Sequence, residues 1–89
     1  VKRAFQEFEK GIESLQNGQF AQGIRLLRKS IQTDPKFVDA FLSLGGAYQE
    51  IRLYDSSVYF YERAIQQDPQ YTAPYQLPYA ISLAGQGNF

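Results

Sequence analysis

Apolar residues recur along this chain at helical spacing, in segments separated by short polar breaks. Phe5, Phe8, Ile12 and Leu15 stand three, four and three residues apart and mark one stripe of a helix running from about Arg3 to Asn17. Asn17-Gly18 ends it, because glycine suits the left-handed turn that follows a helix. From Phe20 to Thr33, Phe20, Ile24, Leu27 and Ile31 share a second helical face, with Arg25, Arg28 and Lys29 elsewhere on the helix. Asp34-Pro35 stops this helix, since the residue before a proline avoids helical geometry.

The plan then repeats. Phe41, Leu44, Ala47, Tyr48 and Ile51 predict a third helix, and Tyr54, Val58, Tyr61, Ala64 and Ile65 a fourth that ends at Asp68-Pro69. Asp55 or Ser56 is expected to cap the fourth helix by accepting from its orphan amides. The period is 34 residues: Asp34-Pro35 returns as Asp68-Pro69, Gly11 as Gly45, Phe20 as Tyr54, Ile31-Gln32 as Ile65-Gln66 and Phe37 as Tyr71. A unit of that length holds two helices and a turn, and neither helix pair can bury its apolar face without a neighbour.

After Asp68 the chain carries no charged residue, yet it includes Tyr71, Tyr75, Leu77, Tyr79, Ile81, Leu83 and Phe89. The pattern predicts a fifth helix around Tyr75 to Ala84, with Gly87-Asn88-Phe89 echoing Gly18-Gln19-Phe20 at the next turn. Gly18 to Gly87 is 69 residues, one more than two periods, so the linker after Pro69 is expected to hold one extra residue. Pro78 predicts a late start or a bend, because a mid-helix proline removes a donor unless it lies in the first turn. The units therefore run from about 4 to 37 and from 38 to 71, with a partial third from 72 to 89. On this pattern the chain reads as a single domain and a piece of a longer array.

Composition narrows the chemistry. Nine basic residues balance nine acidic ones, so no global field attracts nucleic acid or an anionic membrane. Cysteine and histidine are absent, which removes thiol chemistry, disulfides, most zinc sites and imidazole catalysis. No long uncharged apolar run of spanning type occurs, so direct membrane insertion is not expected. Glu7, Glu9 and Glu13 lack the convergent arrangement a hard cation needs, and no metal or cofactor is implied. No phosphate-binding glycine loop or pairing of nucleophile with base is present, so an enzyme is not expected.

The second unit resembles the tetratricopeptide repeat through Phe41, Leu44-Gly45, Tyr48, Ser57, Tyr61, Ala64 and Pro69. In the first unit Gly11, Gly23, Leu27, Ser30 and Pro35 match, whereas Glu7, Lys10 and Ser14 occupy positions the family usually makes apolar. The apolar stripe of the first helix is displaced by one residue, which predicts a rotated helix or an edge. The resemblance implies an all-α fold, a right-handed α-solenoid of antiparallel helix pairs with about five helices. Its concave surface, lined by the first helix of each pair, commonly receives an extended peptide or a partner helix.

That geometry would turn Phe8, Ile12, Leu15 and Gln16 toward the groove, then Asp39, Leu42, Ser43, Gly46 and Gln49, then Leu77, Ile81 and Ala84. Phe8, Ile12 and Leu15 fit intramolecular core equally well. Some members of the family grip a partner's C-terminal carboxylate with paired Lys, Arg and Asn; the matching positions here are apolar, which disfavours heat-shock chaperone tails. Arg25, Arg28 and Lys29 form a small basic cluster that reads first as a solvated face. Tyr59, Tyr75 and Tyr79 are left as possible contact tyrosines. The expectation is a non-catalytic scaffold or adaptor module that binds a protein or peptide with an apolar segment. The alternative is a structural spacer or self-association element acting through the uncharged last helix. The compartment stays open between cytoplasm and bacterial periplasm.

Overall fold

The computed structural model describes residues 2–87. Helices α1 (Lys2–Gln16), α2 (Phe20–Thr33), α3 (Val38–Glu50), α4 (Tyr54–Gln67) and α5 (Gln76–Gly87) follow one another, with a single 3-10 turn at Ala73–Tyr75 before the last. No strand occurs among the described residues. Each helix packs on its neighbour in chain order, so α1 and α2 form one pair, α3 and α4 a second, and α5 lies against α4. The resulting body measures 40 × 29 × 18 Å. The expected turn at Gly87-Asn88-Phe89 falls partly on Asn88 and Phe89, outside the described residues.

Both hairpins close in the same way. In the first, the Gln19 amide donates to the Ser14 carbonyl at 2.8 Å and the Gly18 amide to that of Leu15 at 3.0 Å. In the second, the Leu53 amide donates to Tyr48 at 2.9 Å and the Arg52 amide to Gln49 at 3.0 Å. These paired bonds satisfy the carbonyls orphaned at a helix end and require a left-handed residue. Gly18 supplies it at φ 78, and Arg52, the equivalent one period later, is forced to φ 64. Helix α4 therefore begins at Tyr54 with Leu53 at its cap and no side-chain cap bond, which corrects the expectation for Asp55 and Ser56. Asp55 sits instead in the first turn, where its charge complements the helix dipole.

The Asp-Pro breaks act as expected. Asp34 and Asp68 are extended at φ −138 and −153, and their carboxylates accept from the amides of Lys36 and Tyr71 at 3.1 and 3.0 Å. Pro78 lies in the first turn of α5, after the 3-10 turn, which is the late start that its chemistry demands.

The face that α1 buries differs from its apolar stripe. Ala4, Glu7, Gly11 and Ser14 are its buried residues, while Phe5 remains 49% exposed. The helix keeps the register of the repeat and is not rotated onto Phe8, Ile12 and Leu15. Small residues decide this, because Gly11 and Gly23 allow close approach of α1 and α2 and the Ser30 hydroxyl donates to the Ala4 carbonyl at 2.7 Å. The cost is a buried carboxylate. Glu7 Oε1 accepts from the Thr33 hydroxyl at 2.7 Å, and Oε2 lies 3.9 Å from Lys29 Nζ with no hydrogen-bond partner among the described residues.

The core proper is built by the second pair: Leu27 from α2 joins Phe41, Leu42, Leu44, Phe60, Tyr61 and Ala64. Phe8, Ile12 and Leu15 pack against its margin. Gly45 lets the Tyr61 ring lie directly on α3, where an added Cβ would meet ring carbons at 2.8 Å. The next contact is polar, for the Ser57 hydroxyl reaches the Gly45 carbonyl at 2.8 Å and the Ser82 hydroxyl at 2.6 Å. That small buried pair docks α5 on α4.

Candidate interaction surface

Where α1 and α3 run beside each other, the start of α2 closes an open cleft of about 330 Å³. Ile12, Leu15 and Gln16 form one wall, Phe20 one end, and Ser43, Gly46, Ala47 and Glu50 the other wall. Gly46 contributes no side chain, so the floor there is α3 backbone and the small Ala47. The cleft is mainly apolar, with Gln16, Ser43 and Glu50 contributing polar groups to its lining. A depression of about 400 Å³ beside the α3–α4 turn is larger, but Arg52, Asp55, Ser56 and Gln86 make much of its lining polar.

The residues expected in a groove divide into five groups. Ile12, Leu15 and Ser43 come together in the cleft. Phe8 lies toward the α2–α3 linker, its ring 5.0 Å from that of Phe37, and is half-buried. Leu42 is only 4% exposed and belongs to the core, which corrects its placement on the groove surface. A leucine on the inner side of α3 is covered here by neighbouring helices.

Asp39 and Gln49 have internal partners. Asp39 accepts from the Tyr71 hydroxyl at 2.6 Å, fixing the linker after α4 to α3. The Gln49 amide donates to the Pro78 carbonyl at 2.6 Å and to the Ser82 hydroxyl at 2.8 Å, fixing α5 to α3. They position the third unit and offer little to a ligand. Leu77 and Ile81 lie outside the cleft on α5, 70% and 51% exposed. Apart from Ser82, no residue of α5 is fully buried.

Phe20, Ala47 and Glu50 line the cleft without having been expected there. Its spacing places Phe20 on one helical face with Ile24, Leu27 and Ile31. Its place as the first residue after the turn, opposite the end of α1, is the signal that it closes the cleft.

Three tyrosine hydroxyls are held above their ordinary ionisation range. Burial, then the nearby Tyr75, pushes Tyr61 above its ordinary value. Donation to Asp39 raises Tyr71 first, and donation to Glu62 at 2.7 Å raises Tyr79 first. All three stay neutral at physiological pH, Tyr71 and Tyr79 as donors to carboxylates and Tyr61 as a packed ring, which suits structural roles. No group of three metal-ligating side chains converges, and no helix is long and apolar enough to cross a membrane, among the described residues. Comparison with protein-family models and with curated proteins finds no match to this chain.

Proposed function

We propose that the chain is a non-catalytic protein-interaction module of tetratricopeptide-repeat type, and that it binds an apolar peptide or helix in the cleft between α1 and α3. The observation that carries this reading is the cleft itself, with Ile12, Leu15 and Phe20 presented beside the bare backbone of Gly46. Half-buried side chains already held by the core cost little further ordering when a partner arrives. Each partner side chain they cover contributes about 25 cal/mol per Å² of apolar area before association costs are subtracted.

The test is selection from a phage-displayed random peptide library on the immobilised chain and on its Ser43→Arg variant. Ser43 is half-buried on the cleft wall and outside the core, so the arginine fills the cleft without creating a cavity. The expected result is enrichment of apolar sequences that the variant no longer retains. Equal retention on both proteins refutes the cleft assignment.

Exposure of Leu77 and Ile81 on an uncharged helix favours a second reading, self-association or stacking through α5. Sedimentation at increasing concentration tests it: Leu77→Lys with Ile81→Lys should abolish any dimer, and a strictly monomeric parent chain rejects the reading.

A further inference from the structure

The basic residues of α2 do not all extend into solvent. The Arg28 guanidinium lies 5.6 Å from the centre of the Phe60 ring and donates to the Tyr48 hydroxyl at 2.9 Å. Arg63 on α4 repeats the device, 5.9 Å from Phe41 and 5.7 Å from Tyr59, while donating to the Tyr59 hydroxyl at 2.9 Å. Between the two arginines the rings touch continuously: Tyr48 stacks on Phe60 at 5.6 Å, Tyr59 meets Phe60 edge-on at 5.0 Å, and Phe41 lies 6.3 Å from Phe60. Two positioned guanidinium groups thus bracket one aromatic cluster, and Tyr59, 51% exposed, covers it toward solvent.

Neither arginine has a carboxylate partner among the described residues. The one ion pair within 4.0 Å among the described residues is Lys29 with Glu7. Glu62, the acidic neighbour of Arg63, accepts instead from Tyr79 on α5. Helix α2 contains three basic residues and no acidic one. A guanidinium has five donors, and one bond to a tyrosine oxygen leaves a fork free for a carboxylate. Holding the fork on a ring removes rotamer entropy before the partner arrives.

We propose that this face, the α2–α4 seam, is a second protein-binding surface that takes an acidic segment whose carboxylates pair with Arg28 and Arg63 and whose aromatic or apolar residue packs on Tyr59. The surface is separate from the cleft, which α1, α3 and the start of α2 form. A polyphosphate backbone fits it less well, because the chain has no net positive charge and Asp55, in the same shallow depression as Arg28 and Tyr59, leaves room for a few carboxylates on the arginine forks but not for a continuous run of anionic groups.

The experiment selects a phage-displayed random peptide library on the folded chain and measures the enriched peptide by fluorescence anisotropy, beside its Asp→Asn, Glu→Gln counterpart and a single-stranded oligothymidine. Acidic peptides with an aromatic residue should be enriched, be retained by Ser43→Arg, and bind Arg63→Gln about tenfold more weakly or worse. Arg63→Gln carries the result where Arg28→Gln loosens the Tyr48 contact and perturbs folding, and circular dichroism checks that each variant stays helical. Absence of acidic enrichment, undiminished binding of the amide counterpart, equal binding to Arg63→Gln, or tighter binding of oligothymidine each overturns the proposal.

Discussion

Single residues set the tolerances of this fold, and the interhelical turns show it most directly. Gly18 and Arg52 do the same work one period apart, closing each hairpin with a left-handed backbone at φ 78 and φ 64. An L side chain in that region costs about 1–2 kcal/mol, and the extra unfolded-state freedom of glycine returns part of it. Arg52→Gly should therefore raise stability by about 1 kcal/mol, seen as a thermal midpoint higher by about 4–8 °C for a domain of this size. Gly18→Ala should lower stability by a similar amount although nothing lies within 4 Å of the added carbon, which isolates backbone strain from packing. Gly45 makes the opposite demand. Its φ is ordinary, but the Tyr61 ring occupies the space a Cβ would take. Gly45→Ala should cost about 1–3 kcal/mol in denaturant unfolding, because a packed ring between two helices has little room to retreat. An unchanged midpoint would show that the ring does not lie against α3.

At the level of elements, the punctuation was plain in the sequence and the faces were not. Asn17-Gly18 and Asp34-Pro35 bound α2 and Asp68-Pro69 ends α4, almost to the residue, because proline and left-handed glycine act locally and need no tertiary partner. The buried face of α1 was hidden, since counting apolar residues favours Phe8, Ile12 and Leu15 whereas close approach favours Ala4, Gly11 and Ser14. The cleft was legible in Ile12, Leu15 and Ser43. The internal use of Asp39 and Gln49 was not, because their partners Tyr71, Pro78 and Ser82 lie about thirty residues away and belong to a unit that departs from the period. The misfit in α1 yields its own prediction. Glu7 stands where the second unit has Phe41, and it buries a carboxylate with one oxygen unsatisfied. Glu7→Met should leave the α1–α2 pair as stable or more stable by about 1 kcal/mol, because loss of the Lys29 pair is offset by the removed desolvation. The Thr33 hydroxyl can then donate to the Lys29 carbonyl, 3.1 Å away, so no new orphan donor arises. A clear fall in the chemical-denaturation midpoint would mean that the carboxylate contributes net stability.

For the whole molecule, the two ends are secured by different chemistry, and pH should separate them. The first pair is held by small-residue packing and the Ser30 hydroxyl, whereas the third unit is tied back by tyrosines: Tyr71 to Asp39 from the linker, Tyr79 to Glu62 from α5, and Tyr61 between α3 and α5. All three tyrosines are raised above the ordinary value of 10.0, Tyr61 chiefly by burial and the others chiefly by donation to a carboxylate. Below pH 10 the folded and unfolded chains both keep these protons, and the stabilisation is fully present. Above it the unfolded tyrosines release protons while the folded ones retain theirs, so the unfolded state binds fewer protons and stability falls as pH climbs through the raised values. Ionisation removes the donor of each bond and places a second negative charge beside Asp39 or Glu62, so the contacts of α5 should loosen before those of α1 with α2. Thermal melts between about pH 8 and pH 11 should show a constant midpoint that declines beyond about pH 10. Tyr61→Phe removes the ionisable hydroxyl and keeps the ring on Gly45, so its decline should be shallower, and adding Tyr79→Phe should flatten it further. Equal slopes in the parent chain and both variants would assign the alkaline loss to general charge repulsion and reject the tyrosine ties as its source.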